Sequence, residues 1–94
     1  MKITALSVVS DPDPWPNGDR LLAFFSVEFG GFRLHDCLLI RTKRGFLLAQ
    51  GPRGDAKKGE CRAIQIVDAG IRKAMGEAAY NAFVALGNVE TAAA

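Results

Sequence analysis

The chain opens on a run of apolar and β-branched residues, Ile3 to Ser10, that stops at Asp11-Pro12-Asp13-Pro14-Trp15-Pro16-Asn17-Gly18. Three prolines and an Asn-Gly forbid a regular ladder there and predict a loop. Leu21 to Phe29 alternates next, with Leu21, Ala23, Phe25, Val27 and Phe29 on one face. Leu22 and Phe24 begin the other face, which turns polar at Ser26 and Glu28. Gly30-Gly31 then separates two strand-like runs by two residues that tolerate positive φ, which predicts a tight hairpin. Phe32 to Ile40 returns, with Phe32, Leu34, Leu38 and Ile40 expected on one face. Thr42-Lys43-Arg44-Gly45 reads as a second turn, Phe46 to Ala49 as a short fourth strand, and Cys61 to Val67 as a fifth. Gly51 to Gly59, with three glycines and a proline, reads as a loop between them.

The period then changes from two to 3.6. Asp68 can cap a helix, and Ile71, Met75, Ala78, Ala79, Ala82, Phe83 and Leu86 recur at three- and four-residue steps. Arg72, Lys73, Glu77 and Asn81 fall on the other face, and Gly87 is a natural stop. Gly70 and Gly76 each cost the helix about 1 kcal/mol relative to Ala. The expected fold is α+β: a small antiparallel sheet of about five strands in a meander, followed by one C-terminal helix. It forms a single domain over 1–87, with 88–94 as a frayed tail. One helix covers one face of a sheet, yet Leu21 to Phe25 and Leu38 to Ile40 put large apolar side chains on both. A homodimer through the sheet strands is therefore expected, which would also hide a strand edge.

Composition narrows the class. The 94 residues are 49% hydrophobic and 23% charged, enough for one core and too apolar for disorder. No apolar run approaches the roughly 20 residues of a spanning helix, and no signal peptide is recognisable, so a cytoplasmic domain without membrane contact is expected. Two cysteines, Cys37 and Cys61, make neither a disulfide framework nor a metal set, and both are expected to behave as small buried apolar residues.

The formal net charge of +2 hides an uneven distribution. Residues 1–32 carry Lys2 and Arg20 against Asp11, Asp13, Asp19 and Glu28, a net of −2. Residues 63–94 carry Arg72 and Lys73 against Asp68, Glu77 and Glu90, a net of −1. The middle holds Arg33, Arg41, Lys43, Arg44, Arg53, Lys57, Lys58 and Arg62 against Asp36, Asp55 and Glu60, a net of +5. Such asymmetry can mark a surface that faces a polyanion, although Lys and Arg are also ordinary residues of solvated turns.

His35-Asp36 is the one adjacent acid–base pair, but neighbours on a strand point to opposite faces and cannot act as a dyad. Its plainer reading is a hydrogen-bonded strand histidine. Asp11 and Asp13 read as a solvated loop rather than a cation site, and Gly51-Pro52-Arg53-Gly54 lacks the spacing of a nucleotide-binding loop. No enzyme activity, metal or cofactor is expected. The basic loop with Arg53, Lys57, Lys58 and Arg62 suits phosphate contacts, since glycines let backbone N–H groups approach while long cationic side chains neutralise charge. Arg41, Lys43 and Arg44 extend the patch if they lie at the same end of the sheet. Arg72 and Lys73 oppose the helix dipole, a placement that an anionic ligand would explain. The phenylalanines sit on apolar faces, so no base-stacking platform is evident. Trp15 is either a lid over the core or an exposed contact residue, and the lid is favoured.

The order of these elements resembles the stage V sporulation protein G (SpoVG) family. Ile3-Thr4, Gly18-Asp19-Arg20-Leu21 and Leu22-Ala23-Phe24-Phe25-Ser26-Val27 resemble its opening. Phe32-Arg33-Leu34-His35-Asp36-Cys37-Leu38-Leu39-Ile40 is similar to its strand ending in an apolar-His-Asp-Ile run. Gly45-Phe46-Leu47-Leu48-Ala49 and Gly59-Glu60-Cys61-Arg62-Ala63-Ile64 resemble its Gly-Leu-Phe-Val-Ala and Gly-Glu-Phe-Arg-Asp-Ile segments. The resemblance runs from about Ile3 to the helix near Phe83. It implies a strand-mediated dimer that binds DNA or RNA and, in some bacteria, influences septation and sporulation. Carried over residue by residue, it implies nucleic-acid contacts at Arg53, Lys57, Lys58, Arg62, Arg72 and Lys73. Departures fall in the same region. Gln50-Gly51-Pro52-Arg53-Gly54 replaces Met-Pro-Ser-Lys/Arg, Gln65-Ile66-Val67 replaces a His-Pro-Ile segment, and Asp11 to Asn17 is inserted. A copy altered in this way, on a mobile element or phage, can instead serve as a protein-interaction module with a protein partner.

Overall fold

A computed structural model describes residues 1–10, 13–52 and 64–87 of the chain. Four strands, β1 (Lys2–Val8), β2 (Arg20–Phe29), β3 (Phe32–Arg41) and β4 (Leu47–Gln50), precede one helix, α1 (Ala69–Ala85). The strands form an antiparallel meander in the order β1-β2-β3-β4. The α+β architecture expected from the pattern is therefore present.

Local chemistry explains each junction. Gly30 and Gly31 adopt φ of 57° and 82°, the pair of positive values that a two-residue turn needs to match strand twist. At the helix start, the Asp68 carboxylate accepts the Ile71 N–H at 2.9 Å, satisfying an orphan donor and contributing about 1 kcal/mol. At the other end, Gly87 takes φ 84° and its N–H donates to the Val84 carbonyl at 2.9 Å.

The fifth strand does not form in its described part. Ile64 to Val67 lie outside any ladder, and Val67 is 84% exposed. The Ile64 N–H donates to the Pro52 carbonyl at 3.2 Å, but proline has no N–H to return, so pairing cannot propagate. A Cβ at Gly51 would collide with the Ile64 carbonyl oxygen, which explains a glycine where these segments meet. Residues 61–63 and the tail at 88–94 lie outside the described residues.

Two irregularities also correct the expected faces. The β2–β3 register slips between Leu21 and Ala23, and again between Phe25 and Val27. At the second slip β3 holds the extra residue, and Asp36 sits there with φ 59°, a conformation that Asp tolerates better than most residues. Past this bulge the alternation of β3 inverts. Leu34 shares the helix-side core with Cys37 and Leu39, not with Leu38 and Ile40. The first slip likewise brings Leu22 and Ala23 together into that core, with Phe25, Val27 and Ala49 of the sheet and Met75, Ala79 and Phe83 of the helix. Leu86, expected on the inner face, lies past the last helical residue and is exposed.

On the other face, Leu21 is paired with Ile40 and Phe24 with Leu38. Leu38 and Ile40 are only 3% and 1% exposed within one chain, while Phe24 is 38% exposed. The second face is thus less bare than alternation alone implied.

Gly76 packs against β4, where an added Cβ would lie 3.8 Å from the Ala49 Cβ, an ordinary contact distance. Gly76→Ala is therefore expected to stabilise the protein by about 0.5–1 kcal/mol through helix propensity and to raise Tm by about 2–8 °C. Thermal unfolding followed by circular dichroism checks this, and a lowered Tm would mean that the helix–strand packing is tighter than described.

Candidate nucleic-acid interface

The β3–β4 turn, Thr42 to Phe46, is tied at its base by four hydrogen bonds. The Thr42 N–H donates to the Phe46 carbonyl at 2.8 Å, and the Gly45 N–H to the Thr42 carbonyl at 2.9 Å. The Phe46 N–H reaches the Thr42 hydroxyl at 3.0 Å, and Arg41 Nη1 donates to the Gly45 carbonyl at 2.8 Å. Gly45, at φ 91°, supplies the positive φ that closes this turn. The Arg41 guanidinium also lies 5.3 Å from the centre of the Tyr80 ring, a cation–π contact that joins strand to helix. Arg41 is thus a strut of the site as well as one of its charges.

Between this turn, β4 and the start of α1 lies an open groove of about 530 Å³. Arg41, Arg72 and Lys73 line it, together with Phe46, Leu47, Ala49, Gly76 and Glu77 among others. Three cations against one carboxylate give the lining a formal charge of +2. Arg72 and Lys73 are exposed and, among the described residues, form no ion pair. They occupy the fourth and fifth helical positions, the end of the first turn and the start of the second, and no acidic residue lies in the first turn. The Asp68 cap offsets part of the helix dipole, and what remains of the partial positive charge beside Arg72 and Lys73 favours an anion.

The structure thus brings Arg41, from the expected basic turn, together with Arg72 and Lys73 some thirty positions further along the chain. Lys43 and Arg44 do not line the groove. The Lys43 N–H donates to the Asp19 carboxylate at 2.9 Å, and its aliphatic stem lies against Gly18. The same carboxylate accepts from Asn17 Nδ2 at 3.2 Å, so Asp19 clamps the Trp15 loop to the β3–β4 turn. Trp15 itself is half-buried. Arg53, Lys57, Lys58 and Arg62 lie outside the described residues.

The remaining candidates resolve simply. Ser26 Oγ and His35 Nδ1 are 3.1 Å apart, so the histidine is a hydrogen-bonded strand residue, although Asp36 beside it occupies a bulge rather than a regular strand position. Cys37 is a free, buried cysteine, and burial together with the Asp36 charge pushes its thiol up to about 11, so it carries no nucleophilic thiolate near neutrality. No group of three or more His, Cys, Asp or Glu side chains suited to a metal ion occurs among the described residues. None of their helices is long and apolar enough to cross a membrane.

Sequence reasoning missed Phe46. The pattern places it on the apolar face of a strand, yet it precedes the first ladder residue, Leu47, and is 68% exposed at the groove. Its position directly after a basic turn and a glycine was the available signal. Arg33, by contrast, is paired with Glu28 at 2.7 Å and adds no net charge at the far end of the sheet. Comparison with protein-family models, curated proteins and solved structures gave no match.

Proposed function

We propose that the chain is a small dimeric regulatory protein that binds DNA or RNA mainly through phosphate contacts, in the manner of the SpoVG-type regulators it resembles. The observation that carries this reading is the convergence of Arg41, Arg72 and Lys73 on one open groove with a net charge of +2. Cations in such a groove neutralise phosphates and release condensed counterions, which supplies affinity with little base readout. Dimerisation is assigned to the strands: β1 has a ladder partner on one side only among the described residues, so its free edge can accept a second copy. Such a protein works in the cytoplasm, where a free Cys37 stays reduced.

Titration of DNA and RNA oligonucleotides between 50 and 200 mM salt (about these limits) tests the reading. Two phosphate contacts from Arg72 and Lys73 predict a log–log salt slope of about −1.8 or steeper on duplex DNA. A solution mass of two chains is expected alongside it. Absence of binding at the lowest salt contradicts the reading.

The sheet face away from α1, where Phe24 is 38% exposed and paired with Leu38, favours one other function, a protein-interaction module without nucleic-acid binding. One stoichiometric protein retained after nuclease treatment, with no oligonucleotide bound, supports that alternative.

A further inference from the structure

Resting on the nucleic-acid reading, we infer that the groove takes single-stranded rather than duplex nucleic acid, with one base stacked on Phe46 and the flanking phosphates held by Arg72 and Lys73. Phe46 is a large aromatic side chain held 68% exposed, and it lines the same groove as the three cations. An exposed aromatic usually relaxes toward apolar cover, but the hydrogen bonds of Phe46 and Arg41 to Thr42 and Gly45 fix the turn that carries it. The backbone that carries the ring is therefore preorganised, so a ligand that stacks on Phe46 has only the side-chain torsions left to order.

The chemistry of the lining selects the partner. Leu47, Ala49 and Gly76 give the groove an apolar floor, while the charge is carried by Arg41, Arg72 and Lys73. A single strand offers both matching components within one nucleotide: a π-face and a phosphate. A duplex hides its base faces in the stack and presents only phosphates and groove edges. The volume of about 530 Å³ is within the range of sites that hold nucleotide-sized ligands. The other strongly exposed phenylalanine, Phe32, lies across the sheet beside the neutralised Arg33–Glu28 pair and lacks this combination.

The test compares a labelled single-stranded oligothymidylate with a duplex of equal length, using the full chain and the variants Phe46→Ala, Phe46→Leu and Phe46→Trp. A purely electrostatic site follows charge density and prefers the duplex, whereas stacking reverses that preference. Phe46→Ala is expected to weaken single-strand binding by about 5- to 150-fold and to leave duplex binding within about twofold. Phe46→Leu, which keeps apolar bulk but not the π-face, is expected to behave like Phe46→Ala, and Phe46→Trp to bind at least as tightly as the parent. Unchanged melting temperatures show that the exposed substitutions leave the fold intact. Equal losses on both ligands, no loss on the single strand, or full activity in Phe46→Leu would each overturn the inference while leaving the phosphate-binding reading standing. If the parent chain binds neither ligand, the reading itself fails and the inference falls with it.

Discussion

Replacing Arg72 and Lys73 together by glutamine is expected to weaken single-strand binding by roughly 25-fold at about 0.1 M salt while changing stability by less than about 0.5 kcal/mol. The binding estimate follows from counterion release: a slope of about −0.7 per contact on a single strand makes each phosphate contact worth about fivefold between about 1 M and 0.1 M salt. The stability change is small because two contributions oppose each other. Removing two exposed cations near the N-terminus of α1 relieves dipole repulsion of a few tenths of a kcal/mol each, while Arg72 loses its attraction to Asp68 and Lys73 its attraction to Glu77, each four residues away and of about the same size. Glutamine has nearly the helix propensity of Arg and Lys, so little else changes. Binding measured by fluorescence anisotropy and stability measured by urea unfolding separate the two effects. Unchanged affinity, or affinity lost together with stability, would show that these residues do not contact phosphate.

Phe25→Ala and Phe24→Ala are expected to differ sharply although the residues are neighbours. Phe25 is 2% exposed, pairs with Leu6 and Cys37, and belongs to the helix-side core. Its truncation is expected to cost about 3–5 kcal/mol through lost transfer energy and an unfilled cavity. A domain of this size has only about 5–14 kcal/mol in total, so Tm should fall by roughly 15–30 °C or folding should fail. Phe24 points to the opposite face and keeps 38% of its surface exposed, so its truncation is expected to cost about 1–2 kcal/mol. Thermal melts of the two variants decide the matter. Similar losses would contradict the assignment of faces.

The sequence made its turns and caps readable because these depend on one or two residues. Gly30-Gly31, the Asp68 cap and the Gly87 stop each sit where the local chemistry requires them. The bulges at Leu22 and Asp36 were not readable, since alternation says nothing about which residue is skipped, and one skipped residue exchanges the faces beyond it. Ile64 to Val67 had strand composition, but pairing also depends on the opposite segment, where Pro52 cannot donate. The site was half readable for a similar reason. The basic turn and the start of the helix were visible as charge, but their meeting in one groove depends on α1 packing across β4. Phe46 was hidden because an apolar residue at a strand end looks the same in sequence whether it is buried or displayed.

The groove between the β3–β4 turn and the start of α1 is the proposed nucleic-acid interface. Backbone amide NMR shifts, followed while a short single-stranded oligonucleotide is titrated into the labelled protein, test it most directly. The largest changes among the described residues are expected at Gly45, Phe46, Arg72, Lys73 and Gly76, with the Gly30-Gly31 hairpin and β1 unmoved. Shifts centred on that hairpin or on β1, with the groove amides unchanged, would contradict it.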